Sequence, residues 1–285
     1  MALSGRFGPA ALPDPIPPAM FGPLSKAEEG KMQPLRAVVT AGAAGLGLAI
    51  ATRLRHQGAL VHVCDADPAA VTALRQGDTG IIPHLADIAD AGQVDRFMAA
   101  AAAAMGGIDL LVNNAGIAGP RGPVEMLDLA EWTRCLTVNL TGMFLCLRAA
   151  VPVMKTQGAG CIVNISSASV GPGLPQRSAY IAAKAGVEGL TRTLARELGP
   201  SGIRVNAIRP GLLDNDRARG VLARIATEQG KTPDAVATEF LEFVSLRCWI
   251  DPSEVAGLVW FLAADSGRHV SGQIIGVCGN LEWEG

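Results

Sequence analysis

The sequence of 285 residues is poor in charged and in aromatic side chains. Charged residues make up 18% and aromatic residues 4%, with one tyrosine in the whole chain. The formal net charge is −2 and no long basic run occurs, which argues against nucleic acid as a partner. No uninterrupted apolar segment reaches the roughly 20 residues that a bilayer span needs, so no membrane association is predicted.

The chain also lacks the spacings that metal sites and redox pairs require. Its four histidines show no metal-ligand spacing, so no metal site is predicted. The cysteines contain no C-x-x-C pair, and most of them sit inside apolar runs. Free buried thiols in a reducing, cytoplasmic compartment are therefore expected. The six cysteines are Cys64, Cys135, Cys146, Cys161, Cys248 and Cys278.

Apolar residues are abundant, at 49%, and support a substantial buried core. Short runs that are apolar throughout alternate with segments of helical periodicity, which indicates strands covered on both faces. The pattern predicts an α/β fold: a doubly wound, Rossmann-like, seven-stranded parallel sheet flanked by helices in a single domain. The predicted strands are 36–40, 60–65, 80–85, 108–114, 161–167, 203–210 and 273–278, and the predicted helices are 45–57, 90–105, 128–155, 178–199 and 252–264.

The N-terminal segment differs from the rest of the chain. Residues 1–34 hold seven prolines and show no periodicity, which predicts a flexible or loosely docked extension. The domain itself is placed at residues 35–285. A translation start at Met20 or Met32 is an alternative interpretation of the same segment.

A second irregular segment follows the sixth predicted strand. About forty residues there contain two helical patterns and no strand. Thr232-Pro233 and Asp251-Pro252 have the residue types that begin helices. Because ligands of such sheets bind beyond the carboxyl ends of the strands, residues 212–249 are predicted to form a substrate lid.

A glycine cluster follows the first predicted strand, in TAGAAGLGLA at residues 40–49. Glycines between a strand and a helix allow positive φ and a close approach of backbone N–H groups to a phosphate. Gly42, Gly45 and Gly47 do not follow the G-x-G-x-x-G order of the common dinucleotide fingerprint. Close packing of a helix on the sheet is the alternative reading of these small residues.

Asp65 ends the second predicted strand, eighteen residues after Gly47. A carboxylate at this place accepts hydrogen bonds from ribose hydroxyls and repels a 2′-phosphate. Neither Ala43 nor Ala44 provides a positive charge for such a phosphate. The sequence therefore favours NAD over NADP as the cofactor, although a solvated carboxylate at a strand end would look the same in isolation.

Tyr180 and Lys184 lie four residues apart in a helical segment, and therefore on one helix face. A free tyrosine has a pKa of about 10, and a nearby ammonium favours the phenolate. Tyr180 is thereby suited to general acid/base work on an alcohol or carbonyl. Ser167, at the end of the fifth predicted strand, provides a hydroxyl for the reacting oxygen. Such a tyrosine–lysine pair by itself is usually an exposed helix face, but Tyr180 is the chain's single tyrosine.

These motifs resemble those of the short-chain dehydrogenase/reductase family over roughly residues 35–280. That family's glycine turn is T-G-x-x-x-G-x-G, which the chain matches except that Ala41 replaces the first glycine. Asn113 to Gly116 resemble its N-N-A-G motif, and Pro210-Gly211 resembles its P-G after the sixth strand. Asn215 stands where the family often has a threonine near the carboxamide, and Cys278 replaces a common aspartate.

The resemblance implies a catalytic tetrad and a nucleotide site. The tetrad consists of Asn139, Ser167, Tyr180 and Lys184. The cofactor-binding residues are Thr40, Gly42, Gly45, Leu46, Gly47, Asp65, Asp87, Asn114, Ala115, Gly116, Tyr180, Lys184, Pro210, Gly211, Leu213 and Asn215. Of these, Asp87 matches a residue that contacts adenine, and Asn139 matches one that helps the lysine hold a proton-relay water.

The implied activity is an NAD-dependent interconversion of a secondary alcohol, such as a polyol or sugar, and its ketone. An NADPH-dependent carbonyl or 3-oxoacyl reductase is the first alternative, and a non-catalytic nicotinamide-binding protein is the second. An enoyl reductase fits less well, because that branch spaces its tyrosine and lysine more widely. Arg177 is expected to face solvent or to meet an anionic or hydroxyl-rich substrate. A homodimer or homotetramer built through residues 128–155 and 178–199 is also implied.

Overall fold

The computed structural model describes residues 33–281, except for the side chains of Asp216 and Arg217. From Pro34 onward the described chain forms one compact unit. The predicted N-terminal extension at 1–34 lies almost wholly outside the described residues.

Strands and helices alternate along this unit in the predicted order. The strands are β1 (Arg36–Thr40), β2 (Leu60–Asp65), β3 (Ile81–Leu85), β4 (Leu110–Asn113), β5 (Gly160–Ile165), β6 (Ile203–Pro210) and β7 (Ile274–Val277). The helices are α1 (Gly45–His56), α2 (Pro68–Gln76), α3 (Ala91–Met105), α4 (Leu129–Leu136), α5 (Gly142–Gln157), α6 (Ser178–Leu198), α7 (Asp216–Gln229), α8 (Pro233–Glu242) and α9 (Pro252–Ala263).

The seven strands form one sheet in the order β3-β2-β1-β4-β5-β6-β7. Every neighbouring pair is parallel, and β1 contacts both β2 and β4. The strand order reverses between β1 and β4, and in such sheets this reversal opens a ligand crevice at the carboxyl ends. The predicted fold class is thus confirmed, and β1 and β4 are expected to border the site.

Burial on both faces explains why the strands are apolar throughout. Ala37 and Val39 of β1 belong to the hydrophobic core on one side of the sheet, which α1 and α9 also line. Val38, between them, belongs to the core on the other side, which α3 and α5 line. Successive strand residues point to opposite faces, so a sheet covered on both faces requires apolar residues at every position.

Helix α2 was not among the predicted helices. Asp67 caps its first turn, because the Asp67 side chain accepts a hydrogen bond from the Ala69 backbone N–H, and Pro68 is the first of its nine residues. Only two of its side chains, Val71 and Leu74, are buried, and two apolar positions are too few to show helical periodicity. Start signals of this kind at Thr232 and Asp251 did predict α8 and α9, and the Asp251 side chain forms a capping box there.

The predicted helix at 128–155 is continuous in its path but irregular in its hydrogen bonding. A π-helical turn at Thr137–Thr141 separates α4 from α5. By length and composition alone, Leu129–Gln157 is apolar enough to cross a membrane, and 44% of its apolar window is buried. Met143, Cys146 and Ala150 of α5 pack into the core together with α3, as in the core helix of a globular domain.

The insertion after β6 has the helical content that the sequence predicts. Helices α7 and α8 pack around Leu222, Ala226 and Val236, with Phe240 and Trp249 against this small apolar cluster. A parallel bridge between Leu213 and Ile250 joins the two ends of the insertion. The insertion therefore begins directly at the carboxyl end of β6. Its role as a lid stays a prediction.

Candidate active site

The glycine turn between β1 and α1 contains two left-handed residues. Ala41 has a φ of 49° and Gly45 a φ of 53°. Ala41 occupies the position where the related family has its first glycine, and an L-residue with a side chain is strained there. The chain therefore retains the backbone conformation of the turn despite the substitution.

The three glycines of the turn have different functions. A Cβ on Gly42 would lie 2.6 Å from Val63 Cβ, and one on Gly47 would lie 2.6 Å from Asn114 Nδ2 and collide with the Ala41 carbonyl. These two glycines allow close packing on the sheet. Gly45 has no atom of a described residue within 4 Å of its Cβ position, so its backbone lines open space. Leu46 is partly buried against the core. The packing reading thus applies to Gly42 and Gly47, while the phosphate-binding reading stays a prediction for Gly45.

Thr40 fastens the end of β1 to the motif after β4. Its buried hydroxyl accepts hydrogen bonds from the backbone N–H groups of Asn114 and Ala115, both at 3.0 Å. The Asn114 amide donates to the Thr40 carbonyl at 3.0 Å. Asn113 donates to Asn164 Oδ1 at 2.9 Å and so links β4 to β5. The polar residues of this motif brace the sheet edge where the nucleotide is expected.

Asp65 and Asp87 follow neighbouring strands at the same edge of the sheet. Asp65 Oδ2 accepts from the Ala43 N–H at 3.2 Å, and its Oδ1 accepts from the Asp67 N–H at 3.1 Å. The carboxylate of Asp65 is therefore held directly against the glycine turn. Asp87 Oδ1 accepts from the Ala89 N–H at 2.9 Å. Each carboxylate oxygen has a second lone pair with which it could accept from a ligand hydroxyl or amine.

Lys184 lies on the face of α6 that packs on the sheet, and Tyr180 precedes it by one helical turn. Lys184 is buried, and its Nζ donates to the Ile165 carbonyl at the end of β5 at 2.8 Å. The same Nζ lies 5.9 Å from the centroid of the Tyr180 ring. A buried ammonium this close to a phenol stabilises the phenolate form. The pair is therefore not a fully exposed helix face, because Lys184 is buried and Tyr180 is half-buried.

Two adjacent serines follow β5 and point in different directions. Ser166 Oγ donates to Glu188 Oε1 at 2.8 Å, on the α6 side. Ser167 Oγ accepts from the Ser169 N–H at 3.2 Å, within the turn that follows the strand. Successive residues of extended backbone alternate in direction, so only one of the two hydroxyls is available on the catalytic side. Ser167, the predicted residue, is that one.

Asn139 lies in the π-helical turn, a feature that often marks functional sites. Its Nδ2 donates to the carbonyls of Ile117 and Cys135, both at 2.9 Å. Its Oδ1 is buried, and no described residue donates a hydrogen bond to it. A Cβ on Gly116 would lie 2.6 Å from this oxygen and 3.3 Å from Lys184 Nζ. The amide oxygen and the ammonium thus approach the same small space beside Gly116.

The segment after β6 contains the remaining predicted cofactor residues. Gly211 donates its N–H to the Val277 carbonyl at 2.9 Å, and a Cβ on it would lie 2.6 Å from Cys278 Cα. Pro210 ends β6 and pairs with Val277. Asn215 caps α7, because its Oδ1 accepts from the Ala218 N–H at 2.9 Å. Because the cap uses Asn215 Oδ1, any hydrogen bond from Asn215 to the carboxamide of a nicotinamide would have to come from its NH₂ group.

Sequence reasoning missed an ionic network that joins α6 to β6 beside Ser166. Arg209 donates to both carboxylate oxygens of Glu188, at 2.6 and 2.7 Å, and Ser166 donates to one of them. The Glu188 side chain is 4% exposed. Glu188 is four residues after Lys184, and therefore on the same face of α6, and Arg209 is a charged residue near the end of a mainly apolar strand. These two charges were the signal that could have revealed the pair.

Together these features define the class of protein. Nicotinamide-dependent oxidoreductases typically combine a doubly wound sheet with a glycine turn at its switch point and an acidic residue at the end of β2. A tyrosine followed one helical turn later by a buried lysine, beside β5, is suited to general acid/base catalysis on an alcohol or carbonyl. The family profile described as Enoyl-(Acyl carrier protein) reductase matches residues 41–280. The chain belongs to the short-chain dehydrogenase/reductase family, as the motifs predict.

Two curated relatives and two solved structures illustrate the similarity. Cis-4-hydroxycyclohexanecarboxylate dehydrogenase of Sinomonas cyclohexanicum is 39% identical over 85% of this chain and 94% of its own. Levodione reductase of Leifsonia aquatica is 33% identical over 85% and 92%. NAD⁺-bound xylitol dehydrogenase has a TM-score of 0.80 at 30% identity, covering 88% of this chain and 100% of its own. A variant of actinorhodin polyketide ketoreductase with NADPH has a TM-score of 0.81 at 30% identity, covering 86% and 96%.

Proposed function

We propose that the protein is an NAD-dependent oxidoreductase that interconverts a secondary alcohol and its ketone, with Tyr180 as the general acid/base. The observation that carries this proposal is the buried Lys184 ammonium, held by the Ile165 carbonyl and 5.9 Å from the Tyr180 ring. A binding protein without catalysis has no need to bury a lysine beside a phenol. The relatives, which are named as alcohol dehydrogenases and ketone reductases, support the same reaction class.

Each catalytic side chain has a defined task in this proposal. In the direction of alcohol oxidation, the Tyr180 phenolate oxygen takes the hydroxyl proton of the substrate. The Ser167 hydroxyl donates a hydrogen bond to the same substrate oxygen and fixes its position. Lys184 stabilises the phenolate by its charge. NAD, when bound, supplies the nicotinamide carbon that accepts the hydride.

Asn139 is proposed to help return the proton to solvent. Its buried Oδ1 has no donor among the described residues and approaches the same space as the Lys184 ammonium. A buried acceptor of this kind is usually satisfied by an ordered water. Water held between Asn139 Oδ1 and Lys184 Nζ would connect the active site to solvent.

The residues at the glycine turn fit a dinucleotide. Gly45 offers open backbone at the start of α1, where N–H groups and the helix dipole favour a phosphate. The Asp65 carboxylate, fixed by the Ala43 N–H, is suited to ribose hydroxyls and would repel a 2′-phosphate. No lysine or arginine occurs between residues 37 and 52 or between residues 57 and 74. NAD is therefore proposed over NADP.

The first alternative is an NADPH-dependent carbonyl or 3-oxoacyl reductase, and the similarity to an NADPH-bound ketoreductase keeps it open. The purified protein should be given a panel of cyclic secondary alcohols, polyols and sugars with NAD or NADP. We expect kcat/KM to be higher with NAD than with NADP. In Asp65→Ala, the ratio of these two kcat/KM values should fall by about tenfold or more. A higher kcat/KM with NADP would contradict the proposed cofactor. The second alternative, a non-catalytic protein, predicts no turnover with either nucleotide.

Association through α4, α5 and α6 is also proposed. Several large apolar side chains near the start of this surface are exposed in the single chain, including Met126 at 76%, Leu129 at 75% and Phe144 at 49%. Association through these helices would cover such apolar side chains. Light scattering is expected to report a homodimer or homotetramer, and a monomer would refute this assignment.

A further inference from the structure

The Arg177 side chain is held against the loop after β4 and is not fully exposed to solvent. It directly precedes α6 and is three residues before Tyr180. Its side chain is partly buried, and its Nη1 donates to the Gly119 carbonyl at 3.2 Å. Gly119 belongs to the segment that follows the Asn113–Gly116 motif. This bond between distant parts of the sequence places the guanidinium on the catalytic side of the sheet.

The two loops on either side of this arginine are joined to each other. The Gly122 N–H donates to the Gln176 carbonyl at 3.1 Å, next to the bond between Arg177 and Gly119. Gln176 has a φ of 63°, a left-handed conformation that costs free energy for a residue with a side chain. Strain of this size persists only where the surroundings fix the backbone. The direction of Arg177 is therefore set by the fold.

The charge of Arg177 acts on Cys135, a buried residue that contacts Asn139. Burial raises the pKa of the Cys135 thiol, while a hydrogen bond from Asn139 and the charges of Arg177 and Lys184 lower it. Cys135 lies against Gly119 and is within 3.4 Å of Asn139 Nδ2. The Lys184 ammonium and the Arg177 guanidinium are therefore both near enough to act electrostatically on the Cys135 thiol. Arg177 and Lys184 thus place two positive charges near Cys135.

We propose that Arg177 determines substrate specificity by binding a carboxylate on the secondary alcohol or ketone whose reacting oxygen meets Tyr180. This inference rests on the proposed function and names the class of its substrate. A guanidinium matches a carboxylate in a planar, two-point arrangement, which the ammonium of a lysine does not reproduce. The anchor fixes the far end of the substrate while Ser167 and Tyr180 hold the reacting oxygen.

The test measures binding and does not depend on turnover. The complex with NADH is titrated with cyclohexanecarboxylate and with cyclohexanecarboxamide, which share a ring and differ in charge. The wild type should bind the carboxylate about 10- to 100-fold more tightly than the amide, the range of a charge-assisted contact. Arg177→Gln should remove this preference, and Arg177→Lys should restore part of it. Arg148→Gln, which removes an exposed arginine paired with Asp95, is the matched control and should leave the preference unchanged.

Two results would overturn the inference: equal binding of the two compounds by the wild type, or a preference that survives Arg177→Gln. Neither result bears on the proposed reaction, which fails separately if the alcohol panel gives no NADH. Loss of the preference in both Arg177→Gln and Arg148→Gln would also count against it, because a distant charge would then have the same effect.

Discussion

Removal of the Glu188 carboxylate is predicted to destabilise the protein strongly. In Glu188→Ala, the Arg209 guanidinium would lose both carboxylate contacts, and the Ser166 hydroxyl would lose its acceptor. The Arg209 side chain is 28% exposed, so its charge would remain largely buried without its main partner. Breaking a buried pair by removing one partner costs about 3–5 kcal/mol. We expect the lower end of this range, about 3 kcal/mol, because water can reach part of Arg209.

The assay is denaturation by urea and by heat. A loss of about 3 kcal/mol corresponds to a fall in Tm of roughly 6–12 °C for a domain of this size. Arg148→Ala, which breaks the exposed pair with Asp95, should cost less than about 1 kcal/mol. Replacing both charges, as in Glu188→Met with Arg209→Leu, should recover most of the stability, since no charge is then left buried alone.

Two results would refute this reasoning. A loss in Glu188→Ala no larger than that in Arg148→Ala would show that the buried pair behaves like a surface pair. A double variant as unstable as the single variant would show that the cost comes from packing and not from the unpaired charge.

Three further predictions concern the turn, the proton path and the sheet edge. Ala41→Gly should raise the free energy of unfolding by up to about 1 kcal/mol in urea denaturation, because relief of the left-handed strain exceeds the added chain entropy; a loss of stability would contradict this. Gly116→Ala should lower kcat at least about tenfold in steady-state assays, because its Cβ would displace Asn139 Oδ1; an unchanged kcat would exclude that contact from the mechanism. Burial lowers the pKa of His62 and of His84, so the unfolded chain binds protons more readily, and stability should fall as the pH drops below about 6.5. Urea denaturation at pH 7 and pH 5 checks this, and an equal pH dependence in His84→Gln would contradict it.

The fold could be predicted from sequence because the strands are mainly apolar runs between helical segments. The bounds of β1, β2 and β6 agree with the prediction to the residue, and the other strands differ by one or two residues at their ends. Helix α2 escaped prediction because it buries only two side chains. The π-helical turn at Thr137–Thr141 was not predicted, because composition does not show whether a backbone N–H bonds the carbonyl four or five residues earlier.

Those residues of the candidate site that are marked by residue type and local spacing could be predicted from sequence. Contacts between residues far apart in the sequence could not. Tyr180 and Lys184 stand at helical spacing, so the sequence shows their shared face. The sequence does not show which glycines of the turn pack and which line open space, since that depends on Val63 and Asn114 from other elements. Glu188 and Arg209 are likewise far apart in sequence, and only folding brings them together.

The most direct test of the account is the kinetics of Tyr180→Phe. The variant removes one hydroxyl from a ring that otherwise keeps its shape, so heat denaturation should confirm an intact fold. With NAD and the best alcohol of the panel, we expect kcat to fall by about 10²- to 10⁴-fold, the usual contribution of a general acid/base, while the Kd of NAD changes less than about threefold. A kcat within about tenfold of the wild type would contradict the central claim that the Tyr180 phenol moves the substrate proton.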